Sequence, residues 1–398
     1  MKQNAILVCL GLIAGLVIGE LGLRIAGISY PVFEAYDHDR GRALKPGKAG
    51  WYYGEGGAYV QINSQGYRDV EHTKQKPQGV FRIAVLGDSF TEARQVDIEN
   101  TFWKKLETTL QDRREFGGQK IEVLNFGIGG YGPAQELLTL KLHALGFSPD
   151  LVVLAFCPGN DVAQNSKELI RYLQSANRFA PFYVLRDNRL VLDSSFRALS
   201  IDYVERRFLL TAIHYSRLLE LINQARRAAV IRALQKAPTQ SHEIGLFDEE
   251  FLEPKNEVWA EAWRVNDAII AEMNNEVLRT GGRFVVVTLT SPIQIDPDVA
   301  KREQLKQTLG VNDLFYTERR LRQFGQSRGF PVITLAEPMQ AAATERKVYF
   351  HGFPNTGLGT GHWNERGHQI AANILTKELS RVVQSHADVR GAELVHVR

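Results

Sequence analysis

The order of apolar and polar positions divides the chain into three stretches with different patterns. Ala5 to Gly19 is an uninterrupted apolar run behind a single Lys2. Taken alone, that run has the length of a signal-peptide core. Beyond Glu20 the apolar pattern resumes with Leu21, Leu23, Ile25 and Ile28, and the combined stretch is long enough for a helix to cross a hydrocarbon core of about 30 Å. Glu20 and Arg24 fall four apart on one helical face, where they can pair while Arg24 reaches the membrane interface. No Ala-x-Ala-like site follows, and Val8 stands before Cys9 where a lipid-anchored cysteine needs a small residue. A retained single-pass anchor over residues 1–28 is therefore expected ahead of a cleaved signal. Both readings place the rest of the chain outside the cytoplasm, which is the periplasm if the cell is Gram-negative.

From 29 to 78 the sequence is rich in Gly, Tyr and Pro, with turn signals such as Asn63-Ser64-Gln65-Gly66. It reads as a stalk followed by short accessory strands. From Phe81 onward, apolar runs of strand length alternate with helical patterns: Phe81–Leu86, Ile121–Asn125, Leu151–Phe156, Arg283–Leu289 and Pro331–Leu335. Runs this continuous fit strands buried on both faces. The alternation predicts a doubly wound α/β domain over 79–388, with a mostly parallel five-stranded sheet, and a tail over 389–398. The gap between the third and fourth strands is far longer than one crossover helix needs. Within it, Phe182–Leu192 reads as a hairpin turning at Asp187-Asn188, 203–235 as one long Arg-rich helix, and 256–279 as another. About 162–282 is therefore expected to form an inserted helical cap.

Composition narrows the function classes. A chain of 398 residues, 44% hydrophobic and 23% charged, is an ordinary globular protein. A formal net charge of +3 without a Lys/Arg block argues against nucleic-acid binding. Two cysteines, Cys9 in the apolar N-terminus and Cys157 in a predicted strand, make neither a disulfide framework nor a zinc spacing. No metal or other cofactor is called for.

Candidate chemistry gathers at predicted strand ends. Ser89, in Gly87-Asp88-Ser89, follows the first strand directly and opens a helix, at the sheet edge where α/β folds hold ligands. Alone, such a triplet is more often a turn. The second strand runs into Asn125-Phe126-Gly127-Ile128-Gly129-Gly130-Tyr131-Gly132, with more glycine than a turn requires. The third ends in Pro158-Gly159-Asn160-Asp161, which taken singly is an Asn-capped helix start. Gly361-His362-Trp363-Asn364 precedes a C-terminal helix with Ile370, Ala371, Ile374 and Leu375 on its core side.

In this order, the four segments resemble the sequence blocks of the SGNH (GDSL-type) hydrolase superfamily. The resemblance runs from about Arg82 to Leu379 and takes in the Asn-Ser-x-Gly-x-Arg-Asp stretch at Asn63–Asp69. It implies that Ser89 is a nucleophile and His362 its general base. An oxyanion hole is implied from the N–H groups of Ser89 and Gly130 and the amide of Asn160. Asp88 reads as a turn residue, and His368 as packed in its helix. His351 and Trp363 read equally as pocket-lining or core, and Cys157 as core. Two positions depart from the family pattern. Pro158 stands where a glycine is usual, and Gly359 stands where a carboxylate orients the histidine. The expectation is thus a Ser89–His362 dyad steadied by a backbone carbonyl, with no single Asp or Glu comparably important, or else an acid arriving from elsewhere.

Three activities follow as expectations. The first is an exported esterase or O-acyltransferase acting on acyl, chiefly O-acetyl, esters of an envelope polysaccharide. The second is a lipid esterase or thioesterase. The third is a degenerate domain that binds glycan in an envelope complex. Arg206, Arg207, Arg217, Arg226, Arg227 and Arg232 read as a solvated helix face, ahead of a contact with anionic glycan or lipid headgroups.

Overall fold

The computed structural model describes residues 2–172, 180–198, 200–236 and 248–396. The chain opens with α1 (Lys2–Ile25), whose stretch Asn4–Ile25 is apolar, long enough to cross a membrane and nowhere fully buried. Two small antiparallel pairs follow, β1 (Glu34–Ala35) with β2 (Ala43–Leu44) and β3 (Ala49–Tyr52) with β4 (Ala58–Gln61). The main domain then runs β5 (Val80–Gly87), α2 (Ser89–Glu92), α3 (Phe102–Leu110), β6 (Lys120–Asn125), α4 (Pro133–Leu142), β7 (Leu151–Phe156) and α5 (Pro158–Gln164). The insert carries β8 (Phe182–Arg186), β9 (Arg189–Asp193), α6 (Ser200–Tyr215) and α7 (Arg217–Lys236). The chain closes with α8 (Glu257–Arg279), β10 (Arg283–Thr288), α9 (Val299–Leu309), α10 (Tyr316–Arg328), β11 (Val332–Thr334), α11 (Ala336–Arg346), β12 (His351–Phe353), β13 (Gly357–Trp363) and α12 (Glu365–His396).

The five predicted strands form one parallel sheet in the order β11-β10-β7-β5-β6. Side chains alternate strictly between its faces. Ala84, Leu86, Val152, Leu154 and Val286 enter one core with α4 and α8, while Ile83, Val85, Val153, Val285 and Val287 enter the other with α3, α11 and α12. Burial on both faces explains why these strands read as unbroken apolar runs. The direction of strand addition reverses between β5 and β7, and a parallel sheet opens a crevice beyond its carboxyl ends at that point. Ser89 follows β5 there, and Asn160 follows β7.

In three places the structure differs from the sequence pattern. The single helix expected over 203–235 is two, α6 and α7, meeting at Ser216. No Gly or Pro marks the break. Instead the Glu20 carboxylate of α1 accepts hydrogen bonds from the Ser216 hydroxyl and the Arg217 and Leu218 amides, forming an N-terminal cap delivered from another part of the chain. Second, α8 belongs to the core rather than to a cap. Trp259, Trp263, Ile269, Ile270, Met273 and Val277 are buried on its inner face, and it forms the crossover into β10. Third, the stretch from 29 to 78 packs into the domain. Phe33, Leu44, Val60, Ile62 and Tyr67 join the α4/α8 core. The insert hairpin does turn at Asp187-Asn188, both with positive φ. The side chains of Arg206, Arg207 and Arg232 lie outside those described.

The Asn63–Asp69 stretch is a brace. Asn63 Oδ1 accepts from the Gln65 and Tyr67 amides, and Asp69 Oδ2 accepts from Asn125 N at 2.8 Å. Arg68, 1% exposed, donates to the carbonyls of Glu92 (3.1 Å), Ala93 and Val96 (2.5 Å), where α2 ends. Burial lowers its pKa to about 10, and it stays charged at neutral pH. Replacing Arg68 with Met should remove the donor from these buried carbonyls and cost about 2–4 kcal/mol, read as a lower urea midpoint at unchanged slope.

Candidate active site

Asp88 caps the short helix α2, accepting from Phe90 N at 2.9 Å. This places Ser89 at the first helical position, half-buried at the sheet edge. Asp88 also accepts from Asn160 Nδ2 at 3.1 Å, so the two strand ends are tied side by side. Burial raises the Asp88 carboxyl, offset in part by these donors. The structure therefore places Asp88 in the turn, as its position suggested.

His362, near the end of β13, reaches back to Ser89. Its Nε2 lies 2.7 Å from Ser89 Oγ. Its Nδ1 lies 2.5 Å from Oε2 of Glu55, and its backbone amide donates to Glu55 Oε1 at 2.7 Å. A carboxylate on Nδ1 fixes the proton there and turns the Nε2 lone pair toward the serine. Burial alone would raise the Glu55 pKa, but the hydrogen bond and charge of His362 more than offset it, and the group stays below the ordinary carboxylate range.

Glu55 corrects the dyad expectation: an acid arrives from elsewhere. It sits in the β3–β4 turn, 307 positions from His362 in sequence. The Gly56 amide donates to Asn355 Oδ1 at 3.0 Å, Asn355 Nδ2 donates to Gly56 O at 2.9 Å, and Gly57 N donates to Gln95 O at 3.1 Å. The position where an acid was sought could not serve. Gly359 has φ +80, and a Cβ there would lie 2.9 Å from the Tyr349 ring. Gly361 has φ +64 and must be glycine, since a Cβ would stand 2.1 Å from Glu55 Oε1.

The glycine-rich turn after β6 packs against Ser89. Gly129 N donates to Glu92 Oε2 at 2.5 Å, and Gly129 O accepts from Arg42 Nη1 at 2.8 Å. These two contacts hold the turn from both sides. Gly130 has φ +77, and its N–H donates to no group among the described residues; the same is true of the Ser89 N–H. The second hydrogen of Asn160 Nδ2 likewise has no acceptor among the described residues. Arg94 pairs with both Glu92 and Glu34 (2.8 Å), fixing the carboxylate that grips Gly129.

Two acidic side chains lie in the interior behind these groups. Glu136 and Asp161 are fully buried, and burial pushes both well above the carboxylate range, helped by the charge of Asp88 at Glu136 and by Glu136 and Asp88 at Asp161. Cys157 is likewise pushed far up by burial, which leaves it an inert thiol. His351 and Trp363 belong to the core. His351 Nδ1 donates to Gly361 O at 2.6 Å, its Nε2 meets the Thr290 hydroxyl at 2.9 Å, and Trp363 Nε1 donates to that hydroxyl at 2.8 Å. Burial lowers the His351 pKa to about 4 and the His368 pKa to about 3, so both are neutral. His368 Nδ1 accepts from Phe102 N.

Ser89 and His362 open into a cleft of about 480 Å³, which Arg42, Tyr52, Gln95, Gln164 and Thr360 help line. From the insert, Arg227 reaches its rim, whereas Arg217 pairs with Glu220 at 2.9 Å.

No protein-family model matches the chain, and no curated protein sequence does. Similar folds occur among solved structures. A lipolytic G-D-S-L family protein from Veillonella parvula is 11% identical, with 75% of this chain and 97% of that one covered, at a TM-score of 0.34. A catalytic mutant of an acetylxylan esterase from Geobacillus stearothermophilus is 12% identical, with 75% and 93% covered, at 0.36. A putative acylhydrolase from Bacteroides fragilis is 11% identical, with 76% and 88% covered, at 0.30. With superpositions this loose, function has to be argued from the geometry of the site.

Glu55 also couples stability to pH. Its folded pKa is depressed, so its contribution is complete above the unfolded carboxylate value of about 4.3 and is lost as pH falls through the lower folded value. Glu55→Gln lacks this component. The melting-temperature gap between wild type and variant should be full near pH 5 and should narrow as the solution is acidified below about pH 4.

Proposed function

We propose that the protein is an exported, membrane-tethered serine esterase or O-acyltransferase of the SGNH type, acting on O-acetyl esters of envelope carbohydrate. The observation that carries this reading is the continuous chain Glu55–His362–Ser89, with bonds of 2.5 and 2.7 Å, at the mouth of a cleft. A module that only binds glycan has no need of an oriented imidazole on a serine hydroxyl.

In this mechanism Ser89 Oγ attacks the acyl carbonyl while His362 Nε2 takes its proton. Glu55 holds the ring and stabilises the imidazolium that forms. The negative charge moves to the carbonyl oxygen, which the Ser89 and Gly130 N–H groups and the Asn160 amide receive; one such donor is typically worth about 3–4 kcal/mol of barrier. His362 returns the proton to the departing alcohol oxygen, leaving an acyl-Ser89. Water or a second sugar hydroxyl then attacks the acyl carbon, its proton passing to His362, and His362 hands that proton to Ser89 Oγ as the acyl–serine bond breaks. Arg42 acts through the Gly129–Gly130 peptide. It bonds the carbonyl oxygen, so the N–H on the other side of that trans unit keeps its direction.

Amide, hydroxyl and guanidinium groups around the cleft suit a hydroxylated leaving group. The anchor reading draws on α1, whose apolar stretch is long enough to cross a membrane.

Ser89→Ala should abolish labelling by a fluorophosphonate probe while leaving the melting curve intact. A folded wild-type protein that never labels would refute the esterase reading. Glu55→Gln should lower kcat by on the order of 10⁴ with little change in KM, as expected when the group orienting a catalytic histidine is neutralised. Across p-nitrophenyl esters from acetyl to palmitoyl, kcat/KM should be highest for acetyl. A lipase-like groove would instead gain about 0.8 kcal/mol per buried methylene, and rising activity through octanoyl would overturn the carbohydrate-acetyl assignment.

A further inference from the structure

The insert is joined to the apolar N-terminal helix by specific polar contacts. Glu20 caps the start of α7 through Ser216, Arg217 and Leu218, and Arg24 donates to the Tyr215 carbonyl at 2.7 Å. Just past the helix, Ser29 Oγ and Tyr30 N donate to Glu220 of α7, which also receives Lys48. The α6–α7 corner is thereby held to the last two turns of α1. Glu20 lies five residues before the end of α1, about 7–8 Å along the axis.

That corner is apolar on its open side. Phe208 is 77% exposed, Tyr215 69% and Ile222 54%. Phe208 and Tyr215 fall seven apart on one face of α6, opposite the buried Ile213. Cations surround it: Arg24 on the Tyr215 carbonyl, Lys45 at 6.0 Å over the Tyr215 ring, and Arg217 at the start of α7. Ten residues along α7, about 15 Å of helix rise, Arg227 reaches the cleft.

We propose that the α6–α7 corner rests on the bilayer surface. In this arrangement Phe208, Tyr215 and Ile222 sit among the phospholipid headgroups, and α7 is a strut that holds the cleft next to the membrane. The inference depends on the reading of α1 as a retained membrane helix. If α1 spans the hydrocarbon core, Glu20 and Arg24 stand at its interfacial edge, and whatever they bond must stand there too. Amphipathic aromatic and aliphatic side chains flanked by Arg and Lys are what such an interface accommodates. The substrate is then an ester carried on a membrane-bound molecule, presented within reach of the lipid surface.

The full-length protein tests this in vesicles of phosphatidylethanolamine and phosphatidylglycerol, with nitroxide labels read by collision with oxygen and with a water-soluble nickel chelate. The native Cys9 lies a third of the way along α1 and is exposed, whereas Cys157 is buried and escapes labelling. Further labels are placed by Phe208→Cys, Ile222→Cys and, as a solvent reference, Glu303→Cys, the three new cysteines being introduced with Cys9 replaced by Ala. The expected result is oxygen-dominated collisions at Cys9 and a several-fold lower nickel accessibility at 208 and 222 than at 303. If Cys9 lies in the bilayer but 208 and 222 match 303, the corner does not touch the membrane and the proposal fails. A water-exposed Cys9 overturns the anchor reading and this inference with it. Neither result depends on Ser89 chemistry, which the fluorophosphonate probe reads separately.

Discussion

The hydrogen bonds that Glu55 makes to His362 are the contact on which the arrangement of the site depends. A histidine on a glycine-rich strand has several rotamers and two tautomers; a carboxylate on Nδ1 and on the backbone amide of the same residue selects one of each. The glycines of β13 answer to this contact. Gly361 leaves the space that Glu55 Oε1 occupies, and Gly359 lets the strand pass the Tyr349 ring. The β3–β4 turn answers to it as well, since the bonds of Gly56 and Gly57 to Asn355 and Gln95 fix where Glu55 can stand.

The segment from 29 to 78 therefore works as part of the site. Arg42 holds Gly129 from outside, Arg68 gathers the carbonyls behind the Ser89 helix, Asp69 secures the end of β6, and Glu55 grips the histidine. These polar groups surround three strand ends whose own side chains are almost wholly apolar. A parallel sheet offers backbone N–H groups and a crevice at its carboxyl edge but few charges. In this protein a separate arm of chain provides them.

The five strands were legible because burial on both faces leaves apolar runs that periodicity detects from one sequence. Ser89, the glycine turn and Asn160 were legible because each follows a predicted strand closely, so linear position fixes spatial position; His362 was marked by its place before the terminal helix and by the resemblance of its segment. Glu55 was not, because nothing local distinguishes Gly54-Glu55-Gly56 from an exposed turn; its role comes from a contact 307 positions away. The break at Ser216 was hidden for the same reason, since its cap is Glu20. The burial of α8 was misjudged for another. Its pattern is that of any amphipathic helix, and which surface covers its apolar face is a tertiary fact. A Gly-Tyr-Pro-rich composition likewise suggested a stalk, although Phe33, Leu44, Val60 and Ile62 each take a place in the core.

The separation of the three groups along the chain also bears on how the protein is made. Glu55 and Ser89 lie early, while His362 lies on the last strand before the terminal helix. A chain that leaves the ribosome or crosses a membrane N-terminus first exposes its serine and its acid long before the imidazole that joins them. A copy that stops short of β13 has Glu55 and Ser89 but lacks the imidazole between them. The hydrogen-bonded line Glu55–His362–Ser89 thereby closes only once nearly the whole chain has been made.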